Sequence, residues 1–529
     1  MTEIAVFLSA AAVAFGISRL AGIPVVAMLV ATGLAISMFV KLPTNVLQTS
    51  MELGLSFLVF SMGIELSPER FKTRMWPIAV ISLGQILAVG FCSFIITTLA
   101  GFSWQHAVLI SLALSASSTI AVVRHLRKRS QLYEPFARLV LGVLLIQDTL
   151  MTVLLVLWQK WEQNAGLGQV AFSLAFILLL AVTMHQFIIP WLVRKYADDS
   201  ELTLLIALAV LFGFLGLSDL LNLPTLAGAF AAGFSLSAFP VNGLMRAQLG
   251  SITDFFLAFF FIAVGELITI PGLKGLLTVV ALVFMLFVIT PPVVMIISER
   301  FGISTRSSIE SGLLLAQAGE LSLAAALFSL SAGRIDSEIF SIIALTTVIS
   351  MAITPLIATD SITFKLMHYR PFARIKNREF ANYRGHIIIV GYGTVGKRIL
   401  PDLMASKRPV IIIDDDSKVV AELRKQGKNA MVGDCTNIEV LNSVALTSAH
   451  TVFTFSRRLD DSLFLLRQVN TQQVRVIVRV FDDLAAQAVQ DAGGIALNTM
   501  QDAVDSFLAW LGSDYQRLMA RRLTEYKAS

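Results

Sequence analysis

The sequence predicts a polytopic α-helical membrane protein followed by a soluble α/β domain, on three observations. Of its 529 residues 56% are hydrophobic and 15% charged, with a mean hydropathy of +0.76, too apolar for an ordinary soluble protein. About thirteen runs long enough to cross roughly 30 Å of hydrocarbon lie between Ile4 and Asp360. Beyond them the character changes: His368 to Arg384 is basic and polar, and short β-rich apolar runs then alternate with amphipathic stretches. The expected division is a transmembrane domain over residues 1–366, a basic linker over 367–384, and a soluble domain with a helical tail over 385–529.

Orientation follows from Lys and Arg in the short loops, since cytoplasmic loops retain positive charge during insertion. Loops after odd-numbered spans carry about 14 basic residues, among them Arg124, Arg127, Lys128 and Arg129, against about 4 on the other side. The odd loops and the C-terminal domain are therefore expected in the cytoplasm, with the N-terminus outside. Glu3, rather than basic residues, precedes the first span, which reads as a retained span and not a cleaved signal peptide. Cys92 and Cys435 are the only cysteines, so neither a disulfide framework nor a metal-ligand spacing is present. The basic excess suits topology and anionic lipid; no nucleic-acid motif accompanies it.

A charge deep in a span costs about 2.5–3.5 kcal/mol even on the permissive insertion scale, so each needs a reason. Asp148 lies near the middle of the sixth span, Pro135 to Trp158, after Gln147 and before Thr149. Burial favours the protonated carboxyl and a bound cation favours the carboxylate, so proton and monovalent cation compete for one site. If reorientation requires a neutralised site, that competition enforces exchange. Gln147 and Thr149 are candidate neutral oxygen ligands; the plainer reading of Asp148 is a bond to a neighbouring helix. In the twelfth span Gln317-Ala318-Gly319-Glu320 suggests an interrupted helix, and Ser117-Ser118-Thr119 in the fifth suggests its counterpart. Paired broken helices in opposite halves imply an inverted repeat with a midplane site, against the alternative of small-residue helix packing. Glu65, Glu69, Glu310, Asp219 and Asp254 are expected to be solvated near span ends, and Glu266 lies near an external end.

In the soluble part an apolar strand from His386 runs into Gly391-Tyr392-Gly393-Thr394-Val395-Gly396, and a second strand, Val410 to Ile413, ends in Asp414. This is a G-x-G-x-x-G turn placing a phosphate at a helix N-terminus, with a carboxylate positioned for a ribose hydroxyl. It predicts a Rossmann-like, doubly wound sheet with further strands at Ala430–Val432, Val452–Phe455 and Val474–Val480. The acidic strand end favours an adenosine ligand with a free ribose 2′-hydroxyl, AMP, ATP or NAD(H), over NADP; a fold that no longer binds nucleotide is the alternative. Pro401 is expected to kink the first helix. After about Gly494 only a helical tail is expected, which leaves no substrate domain for an enzyme.

These residues together resemble the second monovalent cation:proton antiporter family, and within it the Kef-type potassium efflux systems. The likeness rests on Gly63-Ile64-Glu65-Leu66, Ser117-Ser118-Thr119, Gln147-Asp148, Ala227-Gly228-Ala229-Phe230-Ala231-Ala232-Gly233, Phe260 to Gly265, and Gln317-Ala318-Gly319-Glu320. It implies a homodimer, a core moving against a dimerisation domain, Asp148 as the carrying carboxylate, and potassium over sodium from Gln147 preceding it. The soluble part resembles the regulator-of-potassium-conductance domain, which implies pairing of such domains and a second ligand-lining stretch at Gly433-Asp434-Cys435-Thr436. Where many relatives carry a Lys before the twelfth-span motif this chain has Thr290, so one-for-one electroneutral exchange is the simplest expectation. No counterpart of the acidic loop of glutathione-gated members is visible. The expectation is a bacterial inner-membrane potassium:proton antiporter, regulated by nucleotide. A nucleotide-gated potassium channel or a sodium-preferring antiporter are the alternatives.

Overall fold

The computed structural model describes residues 2–21, 23–39, 44–65, 75–128, 135–162, 167–196, 200–237, 241–301, 303, 305–368, 380–414, 416–436, 438–456, 458–501 and 503–511. They form two compact units, one of Met1–Phe301 with Ser307–Thr363 and one of Gly302–Arg306 with Phe364–Ser529. Most of the basic linker, with Arg129 and Glu69, lies outside the described residues.

The first unit is helical: α1 (Thr2–Ala21), α2 (Val25–Ser37), α3 (Thr44–Glu65), α4 (Met75–Leu99), α5 (Trp104–Leu114), α6 (Thr119–Lys128), α7 (Pro135–Glu162), α8 (Leu167–Thr183), α9 (Ile189–Tyr196), α10 (Ser200–Leu220), α11 (Thr225–Ser235), α12 (Val241–Leu267), α13 (Leu273–Arg300), most of α14 (Thr305–Leu314), α15 (Glu320–Ser331), α16 (Ser337–Ile357) and the start of α17 (Asp360–His368). Among the described residues eight helices are long and apolar enough to cross a bilayer, and five shorter apolar helices accompany them. One helix order occurs twice: a helix entered through a proline (Pro24 before α2, Pro224 before α11), two more helices, a broken helix, and a closing helix.

Close crossings tie these halves together. α2 packs on α12 and α3 on α11. A Cβ on Gly33 would strike the Ile262 carbonyl and one on Gly265 the Val30 carbonyl; Gly63 and Gly233 stand in the same relation to Phe230 and Phe60. Each carbonyl lies one turn before the opposing glycine, so backbone meets backbone with no side chain between, as small-residue helix contacts in membranes allow.

In the second unit β1 (Ile387–Val390), β2 (Val410–Asp414), β3 (Asn429–Val432), β4 (Thr451–Thr454), β5 (Arg475–Val480) and β6 (Ile495–Asn498) form one sheet in the order β3-β2-β1-β4-β5-β6, all pairs parallel. Helices α18 (Thr394–Ala405), α19 (Ser417–Lys425), α20 (Ile438–Ser443), α21 (Leu459–Arg467) and α22 (Asp483–Asp491) complete it. Central β1 is buried along its length: Ile387 and Ile389 join Leu400, Val420 and Leu423 on one face, Ile388 and Val390 join Val440, Leu441 and Leu465 on the other. That explains its unbroken apolar run. One expectation needs correction: the chain after Gly494 is not helical at once but first forms β6. Pro401 lies inside α18, as expected.

His386, immediately before β1, is fully buried. Its Nε2–H donates to the Val444 carbonyl at 2.8 Å, and Nδ1 is buried without a hydrogen-bond partner. Burial pushes its pKa below the usual imidazole range. The folded state therefore binds fewer protons than the unfolded chain, so this residue's stabilisation is complete above the unfolded pKa, about 6.5, and is lost as pH falls. The urea midpoint of this unit, followed by circular dichroism on the full chain in detergent, is expected to drop between about pH 7.5 and about pH 5.5. The drop should shrink in His386→Gln; equal drops would remove the imidazole from this account.

Candidate functional site

The two breaks foreseen from composition are present and touch. α5 ends at Leu114 and α6 begins at Thr119; α14 ends at Leu314 and α15 begins at Glu320. The backbone groups freed by one break are met largely by the other. Gly319 N–H donates to the Ala116 carbonyl at 2.9 Å, Ser117 Oγ to the Leu315 carbonyl at 2.7 Å and Ser322 Oγ to the Ala113 carbonyl at 2.5 Å. Ala318 N–H finds Ser350 Oγ on α16 at 3.1 Å. Irregular backbone at membrane depth survives only with such satisfaction.

Both candidate carboxylates converge on the start of α6. Asp148, on α7 and 4% exposed, accepts from Thr119 Oγ1 at 2.7 Å through Oδ2. Glu320, 1% exposed, accepts from Ser118 Oγ at 2.7 Å and from Ile120 N–H at 3.2 Å. It thus caps α6 from the first turn of α15, where the positive helix end favours negative charge. Gln147, fully buried, accepts from Ser117 N–H at 3.2 Å and donates to Gln85 Oε1 at 2.9 Å. Gln317, within the second break, donates to Leu314 O at the end of α14, 3.2 Å away, while its Oε1 is buried without a hydrogen-bond partner.

Thr149 Oγ1 donates to Leu145 O at 2.8 Å, a bond within its own helix. The structure departs from the sequence-based expectation at two places. Asp254 is not merely solvated but pairs with Arg124 at 2.8 Å, both partly exposed. Glu310 is buried and lines a small cavity with His125, Leu314 and Asp360. Gln85 was overlooked; its only signal is an amide set among apolar residues in the middle of α4. Thr290 is fully buried on α13, and a Cβ on Gly312 would touch neighbouring Pro291, so α14 crosses α13 there. Among the described residues no three His, Cys, Asp or Glu side chains are grouped to hold a metal.

The glycine-rich turn sits at the C-terminal end of β1, beside β4, where the strand order reverses and doubly wound sheets bind ligands. Gly391 has φ +85, a conformation that favours glycine, Gly393 is the N-cap of α18, and a Cβ on Gly396 would come within 3.0 Å of Gly391 O. Thr394 and Val395 open α18, so their N–H groups belong to the unpaired first turn. Asp414 accepts from Tyr392 N–H at 2.6 Å and Asp416 N–H at 2.9 Å, tying the second strand's end to the turn. Asp434 accepts from the backbone and hydroxyl of Thr436, at 2.9 and 2.6 Å, and Cys435 is buried.

The family model described as sodium/hydrogen exchanger, transmembrane, matches residues 5–359, and the TrkA-N domain model matches residues 387–498. K(+) efflux antiporter 2, chloroplastic, of Arabidopsis thaliana is 28% identical over 427 residues, 75% of this chain and 36% of that protein. K(+) efflux antiporter 1, chloroplastic, of the same plant is 28% identical over 414 residues, 74% of this chain and 34% of that protein. The chain thus spans about a third of the length of these curated relatives. The sodium proton antiporter MjNhaP1 from Methanocaldococcus jannaschii, in its structure at pH 8, shares the fold with a TM-score of 0.53 and 16% identity, over 69% of this chain and 99% of that one. With two helix breaks meeting beside a buried aspartate in its membrane unit, and a glycine-rich turn opening a parallel sheet in its second, the chain belongs to the transmembrane sodium/hydrogen exchanger family and carries a TrkA-N domain.

Proposed function

We propose that this chain exchanges a monovalent alkali cation, potassium in preference to sodium, for protons by alternating access, with cation and proton competing at Asp148. The observation that carries the reading is the buried Asp148 carboxylate, bonded to Thr119 at the start of a half-helix. In so little water the ionised carboxylate needs a cation or a proton to accompany it. Either occupant neutralises the site, and an empty, charged site is the form least able to reorient. Thr290 stands where many relatives carry a Lys, so that ammonium is not there to share the charge of Asp148, which supports one-for-one, electroneutral exchange. Gln147 ahead of Asp148 and the potassium efflux names of the plant relatives favour potassium.

The same reading places the chain in a bacterial inner membrane as a homodimer among lipids, N-terminus periplasmic and TrkA-N domain cytoplasmic. There AMP, ATP or NAD(H) would lie along Gly391 to Gly396 with its ribose at Asp414, near Asp434 and Cys435, and set the transport rate. Proteoliposomes containing the full chain, loaded with a pH-sensitive dye, test the first claim. Adding K⁺ outside is expected to drive protons out, at a rate unchanged by a potassium-independent membrane potential, with Na⁺ less effective. Cation flux without proton movement would replace exchange by a channel, and a voltage-dependent rate would overturn electroneutrality.

A further inference from the structure

We infer that Gln85 is a positioning residue of the transport site, holding both helix breaks and the Gln147-Asp148 segment of α7 in one register whatever the charge on Asp148. The inference rests on the exchange reading above and adds a residue to it.

Gln85 sits in the middle of α4, 2% exposed, and its amide reaches three separate elements. Nε2 donates to Ser117 Oγ at 2.7 Å and to the Leu315 carbonyl at 3.2 Å, one in each break. Oε1 accepts from Gln147 Nε2 at 2.9 Å. Gln147 in turn accepts from Ser117 N–H at 3.2 Å, which closes a ring of three buried side chains, and Ser117 Oγ passes the chain of bonds on to Leu315 O at 2.7 Å. Two backbone groups fix the direction of the ring. Ser117 N–H can only donate, so it must face the Gln147 oxygen; the Leu315 carbonyl can only accept, so it must face the Gln85 nitrogen. Both amides are thereby oriented without ambiguity.

Two consequences follow. The oxygens of Gln85 and Gln147 each accept a hydrogen bond inside the protein, so these amides build the site, and the second lone pair of Gln147 Oε1 leaves room for the oxygen-ligand role expected of it. The ring also contains no titratable group. It persists unchanged as Asp148 gains or loses a proton, and because Gln147 precedes Asp148 on α7 it keeps that carboxylate within reach of Thr119, which belongs to a different element. Without Gln85, Gln147 Nε2 and the break carbonyl lose partners where water cannot replace them, and the distance between Asp148 and Thr119 is no longer held.

The test measures cation-driven proton flux in proteoliposomes for wild type, Gln85→Met, Gln147→Met, the double variant and Gln85→Glu. Each Met variant is expected to raise the KM for the driving cation by about tenfold with a smaller change in kcat, and to displace the pH profile. The double variant should be no worse than the singles, since either breaks the same ring. Gln85→Glu keeps the volume and the acceptor; protonated, its O–H can still donate to Leu315 O, whereas ionised it cannot. It should therefore add a limb to the pH profile, active at the acid side and failing toward the alkaline, that wild type lacks.

KM and pH profile matching wild type in Gln85→Met, with only the yield of folded protein reduced, would leave Gln85 as filling and overturn the inference. So would multiplied losses in the double variant, or a Gln85→Glu profile identical to wild type. A wild type that moves protons with no alkali cation sinks the exchange reading and this inference together; a wild type that exchanges beside normal Gln85 variants sinks this inference alone.

Discussion

Asp148→Asn is expected to lower cation-driven proton movement by about two orders of magnitude or more. The asparagine has nearly the same volume, and its oxygen can still accept from Thr119 Oγ1, which now bonds Asp148 at 2.7 Å. Packing should survive, so the amount of folded protein should match wild type. What disappears is the ability to be neutral with a proton and negative without one. An amide has no charge for the cation to cancel, so nothing couples cation arrival to proton departure. Dye-reported proton flux in proteoliposomes, normalised to protein recovered by size exclusion, measures this. A variant retaining half the wild-type flux would remove Asp148 from the exchange step, and a channel would pass cations with either side chain.

The second large effect concerns space rather than charge. Gly319 adopts φ −100, open to any residue, so backbone strain is not the issue. A Cβ placed there would stand 2.7 Å from the Ser117 carbonyl oxygen and 2.9 Å from its carbon. These are backbone atoms of the opposite break, not the end of a side chain able to swing away, and Gly319 N–H is itself bonded to Ala116 O at 2.9 Å. Gly319→Val must therefore push the breaks apart, at a cost of about 1–3 kcal/mol or more, and carry Glu320 away from Ser118 and Ile120. Transport is expected to fall at least about tenfold with a lower thermal midpoint. Gly213→Ala is the control, since nothing lies within 4 Å of a Cβ there. Equal behaviour of the two variants would mean that the contact between the breaks carries no function.

Much of this arrangement is legible in the chain because membrane burial makes polar residues conspicuous. Ser117-Ser118-Thr119 and Gln317 to Glu320 stand out from apolar surroundings, and both mark real interruptions. The glycine-rich turn is legible because strand, turn, helix and a later acidic strand end occur in order. What escaped notice has a common cause. A lone glutamine in a span, such as Gln85, gives no hint of what faces it, since its partners come from α5–α6, α7 and the second break. The hydrogen of Thr149 is used on Leu145 O, a bond open to any helical threonine because a carbonyl one turn back lies within reach, and only its oxygen lone pairs remain for the ligand role expected of it. β6 is four residues directly after Gly493-Gly494 and partly exposed, too short for alternation to register. Glu310 looked solvated because its covering residues, including Asp360, lie far along the chain.

The glycine crossings of α2 with α12 and α3 with α11 carry a consequence for energy conversion. A contact made of backbone against backbone contains nothing that titrates, nothing that salt screens and no side chain with rotamers to exchange. Such a frame has no part of its own that answers to acidity or ionic strength. On the proposed exchange it would serve as a stator: work drawn from an ion gradient would not be dissipated in deforming the support, and an engineered methyl group at Gly33, Gly63, Gly233 or Gly265 would act like play in a bearing.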